Sequence, residues 1–210
     1  MQAEATHLAL LNFRKAISPA ASPALRQEES LLLKIAKGDD KAFGQLLAET
    51  LPRVQAIAWR IVKSHAEAED IAQETFLRLW REAPSLSDVP LEPWLYRVAS
   101  NLAIDRYRRK KPELMEVLPE TSDGAADQET QMRVNELSAE VDAAIAELPD
   151  RQRLALILVH FEEVNQKTAA QTLGITVEAL ESLLSRARRS LKEKLKNRHA
   201  DMLSEFETLG

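Results

Sequence analysis

Glu69-Asp70-Ile71-Ala72-Gln73-Glu74-Thr75-Phe76-Leu77-Arg78-Leu79-Trp80 is the stretch whose reading decides the fold. At helical spacing Ile71, Thr75, Phe76, Leu79 and the following Ala83 form one apolar stripe. Asp70, Gln73, Glu74, Leu77 and Arg81 fall on the opposite side. A stripe of this kind buries against other helices, so the segment predicts one member of a helical bundle. The second face admits two readings: charge that is simply hydrated, or a docking surface for another protein. Leu77, set among acids and amides, is what raises the second.

Composition agrees with helices. The 210 residues are 45% hydrophobic, enough for real cores, whereas five glycines and 5% aromatics argue against a β-rich fold. Ala, Leu, Glu, Arg and Lys dominate and alternating patterns are scarce, which predicts an all-α protein. There is no cysteine, which excludes disulfides, thiolate catalysis and cysteine-ligated zinc together. His7, His65, His160 and His199 are scattered, with no two at ligand spacing, so no metal and no cofactor is expected. Neither a glycine-rich phosphate loop nor a G-x-S-x-G elbow occurs, no catalytic residue is assigned, and an enzyme is the weaker class. No apolar run is long enough to span a bilayer and no signal peptide opens the chain, so membrane insertion is not expected.

Charge is sorted along the chain. Residues 112–148 hold ten acids against Arg133, a net of −9, which leaves +4 on the remainder of a chain whose total is −5. Arg106, Arg108, Arg109, Lys110 and Lys111 form one basic cluster, and Arg186, Arg188, Arg189, Lys192, Lys194, Lys196 and Arg198 a second. Two basic patches divided by an acidic connector predict two modules that face nucleic acid.

Working outward from the central helix, local signals divide the chain. Residues 1–27 carry a short apolar segment (Leu8, Leu10, Leu11, Phe13, Ile17) and then Ser18-Pro19-Ala20-Ala21-Ser22-Pro23, a flexible extension with no function assigned. A module over 28–111 follows. Its first helix stops at Gly38, and Asp39 or Asp40 caps a second that turns Ala42, Phe43, Leu46 and Leu47 inward. Beyond Pro52 a third has Val54, Ile57, Ala58, Ile61 and Val62 at core spacing, with Trp59 beside them. Ser64 and Glu67 form a capping box for the central helix, which Pro84 closes, and a polar loop leads to Pro93. In the helix from Trp94 to Arg109, Leu95, Val98 and Leu102 face the core, while Arg97, Asn101, Asp105 and Arg108 line another face. Those arginines, interleaved with Trp94, Tyr96 and Tyr107, either grip phosphates and stack unpaired bases or form a hydrated face over core aromatics.

Residues 112–135, with two prolines and a Thr121-Ser122-Asp123-Gly124 turn, read as an acidic flexible linker. A second helical module spans 136–198, with Val141, Ala144, Ile145 and Leu148 ahead of Pro149 and a helix from Arg151 to Phe161 packing Leu154, Ile157 and Leu158. Ala170, then Gly174, then Leu180 is helix-turn-helix spacing: a small residue where helices cross, a turn, and an apolar pin. A plain αα-hairpin would share that spacing, and the long basic helix ending favours DNA binding. Residues 199–210 are a tail.

With these motifs in place, residues 30–111 resemble the second conserved region of extracytoplasmic-function (ECF) sigma factors of the sigma-70 family, bacterial promoter-specificity subunits. Gly38-Asp39-Asp40-Lys41-Ala42-Phe43, Ala68 to Trp80, Trp94-Leu95-Tyr96-Arg97-Val98-Ala99 and Asn101-Leu102-Ala103-Ile104-Asp105-Arg106 carry the likeness. Leu148-Pro149, the helix-turn-helix and Ser185-Arg186-Ala187-Arg188 are similar to the fourth region. The resemblance implies two helical domains and a cytoplasmic protein that binds core RNA polymerase and directs it to promoters. Asp70, Gln73, Glu74, Leu77 and Arg81 would dock on the clamp helices of the largest subunit. Trp94, Arg97, Asn101, Asp105, Arg106, Arg108 and Arg109 would read and hold open the −10 element. Lys167, Thr176, Glu178, Glu181, Ser182, Ser185, Arg186, Arg188 and Arg189 would contact the −35 element, the fourth region would meet the polymerase flap, and an anti-sigma factor is an implied partner. By the same resemblance the linker would thread a channel that otherwise holds RNA. Glu181 and Leu183 depart from the basic residues usual in the family, with Glu178 one turn earlier, so the phosphate grip falls to Lys167, Arg186, Arg188 and Arg189. Two other readings stand beside this one: a helix-turn-helix regulator that binds duplex DNA alone and dimerises through its first module, and a helical nucleic-acid enzyme, for which no acid–base or metal constellation is present.

Overall fold

The computed structural model describes residues 31–86, 89–110 and 139–208, with side chains described as far as 196. Every regular element among them is helical. A short α1 (31–36) ends at Gly38, whose φ of +80° places it in the left-handed region that favours glycine. Asp39 then caps α2 (Asp40–Val62), its carboxylate accepting from the Lys41 and Ala42 N–H groups at 3.0 and 3.1 Å. Lys63, with φ +55°, turns the chain by donating its N–H to the Trp59 carbonyl at 2.7 Å, and Ser64 caps α3 (His65–Glu82) by accepting from Glu67 N–H. A single 3₁₀ turn (Ala83–Ser85) closes α3, and α4 runs from Leu91 to Lys110.

The expected break at Pro52 is absent: α2 is one helix through it. Proline removes the N–H that would bond the Ala48 carbonyl, but Ala48 and Pro52 are both exposed, so water can satisfy that oxygen. On the buried side, the Thr50 hydroxyl donates to the Leu46 carbonyl at 2.7 Å, and Leu46 and Val54 continue one core face across the site. The connection from α3 to α4 is likewise less polar than expected, since Leu86, Val89 and Leu91 are buried.

In the second module α5 (139–146) leads to α6 (Asp150–Leu156), which continues into one π-helical turn (Ile157–Phe161). Glu162 N–H donates to Ile157 O at 3.0 Å and Val164 N–H to Leu158 O at 2.8 Å, with Glu163 held at φ +51° between them. For a residue with a side chain this left-handed conformation is strained, and just before it Phe161 and Glu162 meet Arg60 of α2. Then α7 (Gln166–Leu173) and α8 (Val177–Thr208) complete the chain, α8 extending through most of the segment read as a tail. The extension 1–27 and the linker 112–135 lie outside the described residues.

Three long helices build the first core, with Leu32 and Ile35 of α1 buried beside them. Val54, Ile57, Ala58 and Ile61 from α2 meet Ile71, Ala72, Phe76 and Leu79 from α3 and Leu95, Tyr96 and Ala99 from α4. Burying one such aliphatic side chain stabilises by about 1.5–3 kcal/mol. The same apolar cluster runs on without a break into the second module through Leu154, Ile157, Leu158, Ala170 and Leu180. A smaller one of Ile145, Leu148, Leu156 and Ala187 pins α8 on α5 and α6. The two modules therefore share a packed boundary, with α7 against α4 and the π-helical turn against α2.

Candidate docking face and nucleic-acid interface

Helix α3 divides as its sequence periodicity requires. Ile71, Thr75, Phe76 and Leu79 are buried, with Thr75 tied to its own helix by a 2.7 Å bond to Ile71 O, and Ala83 follows them inward. Asp70, Gln73, Leu77 and Arg81 are exposed, and Glu74 is half-buried where it pairs with Arg78 at 2.8 Å one turn on. Leu77 exposes 49% of its surface and Trp80 38%, the largest apolar groups on this side. Beside them opens a groove of about 660 Å³ between α2 and α3, walled by Phe43, Leu47, Leu51, Phe76, Leu77 and Trp80. The Phe43 ring meets Trp80 edge-on at 5.1 Å and Phe76 at 6.4 Å. Sequence reading missed this groove because it turned Phe43 and Leu47 inward with Ala42 and Leu46. Ala42 and Leu46 do enter the core, whereas Phe43 and Leu47 stop at its rim. Two adjacent pairs, 42–43 and 46–47, cover more of a helix than one core face needs, and that excess was the available signal.

Helix α4 resolves the choice left open for its aromatics. Trp94 and Tyr96 are 3% and 1% exposed, so both rings are core, and neither presents a face on which a base could stack. Burial pushes the Tyr96 phenol above its ordinary range, against the opposing effect of its hydrogen bond with Arg53. The basic residues separate into two sets. Arg106 reaches Asp70 at 3.4 Å and Glu67 at 3.7 Å, and Lys110 reaches Glu67 at 2.7 Å, fastening α4 to the start of α3. Arg97 and Arg108 turn instead to the second module. Arg97 packs against the Gly174 turn, where an added Cβ would meet its Nη1 at 3.7 Å. Burial, and then the charge of Arg151, lowers the Arg97 pKa. Arg108 donates to Asp150 through Nε at 3.0 Å and also through Nη2. Asn101, Asp105 and Arg109 are exposed.

Asp150 serves both modules. It also accepts from Arg153 at 2.8 Å, and Arg153 is 2% exposed. A buried guanidinium needs compensation, and this one has three sources: Asp150, the Ala146 carbonyl at 3.2 Å, and the Tyr107 ring of α4 at 4.4 Å. A second inter-module tie joins Arg60 of α2 to Glu162 at 3.0 Å, with the guanidinium 4.2 Å above the Phe161 ring, and a third joins Lys63 to Asp142 at 2.8 Å.

The helix-turn-helix forms as its spacing requires. Asn165 caps α7 by accepting from Thr168 N–H at 2.9 Å, and the Thr176 hydroxyl accepts from Ala179 N–H at 3.2 Å. Between them Gly174 takes φ +63°, Ala170 is 2% exposed at the crossing, and Leu180 is fully buried. Leu180, Leu184 and Ala187 form the inward stripe of α8. Glu178, Glu181, Ser182, Ser185, Arg186, Arg188 and Arg189 are all exposed, as are Lys167 and Thr176. Glu178 is held below the usual carboxylate range by its own backbone N–H and by the Thr176 hydroxyl, so it stays ionised at the helix start. Among the described residues no cluster of three or more His, Asp or Glu could hold a metal ion, and no helix is long and apolar enough to cross a membrane.

Residues 46–113 match the family described as Sigma-70 region 2, and residues 138–191 that described as Sigma-70, region 4. The ECF RNA polymerase sigma factor SigW of Bacillus subtilis is 29% identical over 177 residues, 78% of this chain and 94% of that one. SigM of the same organism, another ECF sigma factor, is 34% identical over 128 residues, 60% of this chain and 77% of that one. A solved structure of the sigma factor RpoE in complex with the anti-sigma factor NepR, from Bartonella quintana, superposes with a TM-score of 0.53 at 28% identity. That match covers 74% of this chain and 98% of the other. With both regions matched in order on a two-module helical fold, the chain belongs to the ECF sigma factors of the sigma-70 family.

Proposed function

We propose that this chain binds core RNA polymerase through the exposed side of α3 and carries it to promoter DNA. The observation that supports this reading best is the solvent-facing apolar surface on α3. Leu77 and Trp80 stay exposed on a helix whose other side is already saturated with core contacts, between the polar Gln73, Glu74 and Arg81. Surface of that kind favours a protein partner. Arg106, Arg108, Arg109, Arg97, Asn101 and Asp105 of α4 then face the −10 element, and the outer side of α8 with Lys167 faces the −35 element. Trp94 supports α4 from the core.

In the packed arrangement Asp150 occupies Arg108 and the Gly174 turn covers Arg97. Contact of Arg97 and Arg108 with DNA therefore requires the modules to part, and promoter phosphate then replaces Asp150 on the Arg108 guanidinium. An anti-sigma factor is a further partner, as NepR is for RpoE of Bartonella quintana. The chain works in the cytoplasm, with polymerase, and supplies recognition without catalysis.

Reconstitution tests the reading. The full chain added to core polymerase is expected to produce transcripts from a defined promoter subset. Gln73→Ala with Glu74→Ala should reduce core affinity at least tenfold while thermal melting stays within a degree or two, because the exposed i, i+4 pair lost with Glu74 is worth only about 0.3–0.5 kcal/mol. DNA binding by the chain alone, with no affinity for core polymerase, would support the free-standing regulator instead.

A further inference from the structure

We infer that the chain's own segment 7–17 seats in the groove between α2 and α3 and competes there with polymerase for the α3 face. The competition rests on the docking assignment made above; the seating does not.

The groove is an apolar slot that borders the docking face and shares Gln73 and Leu77 with it. Phe43, Leu47, Phe76, Leu77 and Trp80 line it, and two acids, Asp40 and Glu69, stand among the lining residues. Its volume of about 660 Å³ is sufficient for several large side chains. An occupant of matching chemistry would be a short helix with one apolar face and positive charge beside it.

Residues 7–17 have that chemistry. At helical spacing Leu10, Phe13 and Ile17 share one face by steps of three and four. Arg14 and Lys15 lie beside it, and no acid occurs anywhere from Ala5 to Ile17. In a chain of net charge −5, an eleven-residue stretch without an acid is complementary to the Asp40 and Glu69 rim.

The connection is long enough. Thirteen residues, 18–30, separate Ile17 from Leu31, which opens α1. Fully extended they span about 45 Å, and as a flexible coil about 20 Å. The described chain reaches the groove soon after it begins, because Asp40, nine residues beyond Leu31, is one of the lining residues. A tether of this length gives an effective concentration on the order of 1 mM. A segment that binds with a Kd of about 100 μM as a free peptide would then fill the groove about 90% of the time and lower the apparent affinity for polymerase about tenfold.

The lack of native cysteine makes the test direct. The full chain carrying Phe13→Cys with Leu51→Cys is oxidised in parallel with one carrying Phe13→Cys with Arg189→Cys, which places the second thiol on the exposed side of α8. The expected result is intramolecular cross-linking of the 13–51 pair at least tenfold faster than of the 13–189 pair, at a rate independent of protein concentration. Equal rates overturn the seating. A product that is dimeric and forms faster at higher concentration overturns it too, and gives the groove to the segment of a second copy. Core affinity is then measured for the full chain, for a chain lacking residues 1–27, and for the full chain with Phe13→Asp and Ile17→Asp. Both variants are expected to bind about tenfold more tightly than the full chain. Preferential 13–51 cross-linking with unchanged core affinity overturns the competition and removes α3 as the polymerase face, while the seating stands.

Discussion

Arg60 and Glu162 provide the sharpest test of the packed boundary between the modules. They are 102 residues apart in sequence and meet at 3.0 Å, with side-chain exposures of 29% and 11%. Removing one partner of a fully buried pair costs about 3–5 kcal/mol. Arg60 is nearly one-third exposed, so about 2 kcal/mol is the appropriate figure here. Its stacking on Phe161 at 4.2 Å adds about 0.5–1 kcal/mol. Arg60→Glu loses both and sets two carboxylates side by side, a total of about 3 kcal/mol, or roughly 150-fold in the ratio of packed to parted modules. Because the chain has no cysteine, spin labels can be placed at Glu49→Cys on α2 and Arg189→Cys on α8, both exposed, and their separation read by pulsed electron resonance. The unmodified pair is expected to give one narrow distance. Arg60→Glu should broaden and lengthen it with helicity unchanged, and Arg60→Glu with Glu162→Arg should restore it. An unchanged distribution in the single variant, or a swap that fails to restore it, refutes the reasoning.

Three further outcomes are expected. Replacing Arg106 and Arg109 by Gln should reduce open-complex formation more than core affinity and lower the slope of log affinity against log salt by about 2, as read from promoter melting at several salt concentrations; an unchanged slope removes α4 from the DNA. Glu181→Lys should raise affinity for all DNA by relieving phosphate repulsion and, if Glu181 accepts from a cytosine amino group, erase preference at one base pair, a loss of about 1–3 kcal/mol; an unchanged −35 preference in a promoter-library selection rejects base reading. Ser100→Ala should leave the melting temperature unchanged or raise it, because the fully buried Ser100 hydroxyl has no hydrogen-bond partner among the described residues and its removal relieves a desolvation penalty of about 1 kcal/mol; a clear fall in melting would reveal a partner for it.

What could be read from sequence alone was local. The caps at Asp39 and Ser64, the stripe of Ile71, Thr75, Phe76 and Leu79, and the Ala170, Gly174, Leu180 spacing each involve residues at most ten apart, so periodicity and capping chemistry expose them directly. The tertiary structure decided what depended on distant partners. Pro52 does not end α2, because the Ala48 carbonyl it leaves without a donor lies on the exposed side, while Leu46 and Val54 hold the helix from the other. Trp94 and Tyr96 are core rings rather than stacking platforms, since α2 and α3 cover that side of α4. The groove exists only because Phe43 on one helix meets Trp80 on another. Arg97 and Arg108 look like DNA contacts in sequence, and it takes Gly174 and Asp150, brought up from a separate module, to occupy them. A helical period records which face a residue is on, but an arginine's neighbour is set by whatever group the packed chain brings within a few ångströms, and no local pattern encodes it.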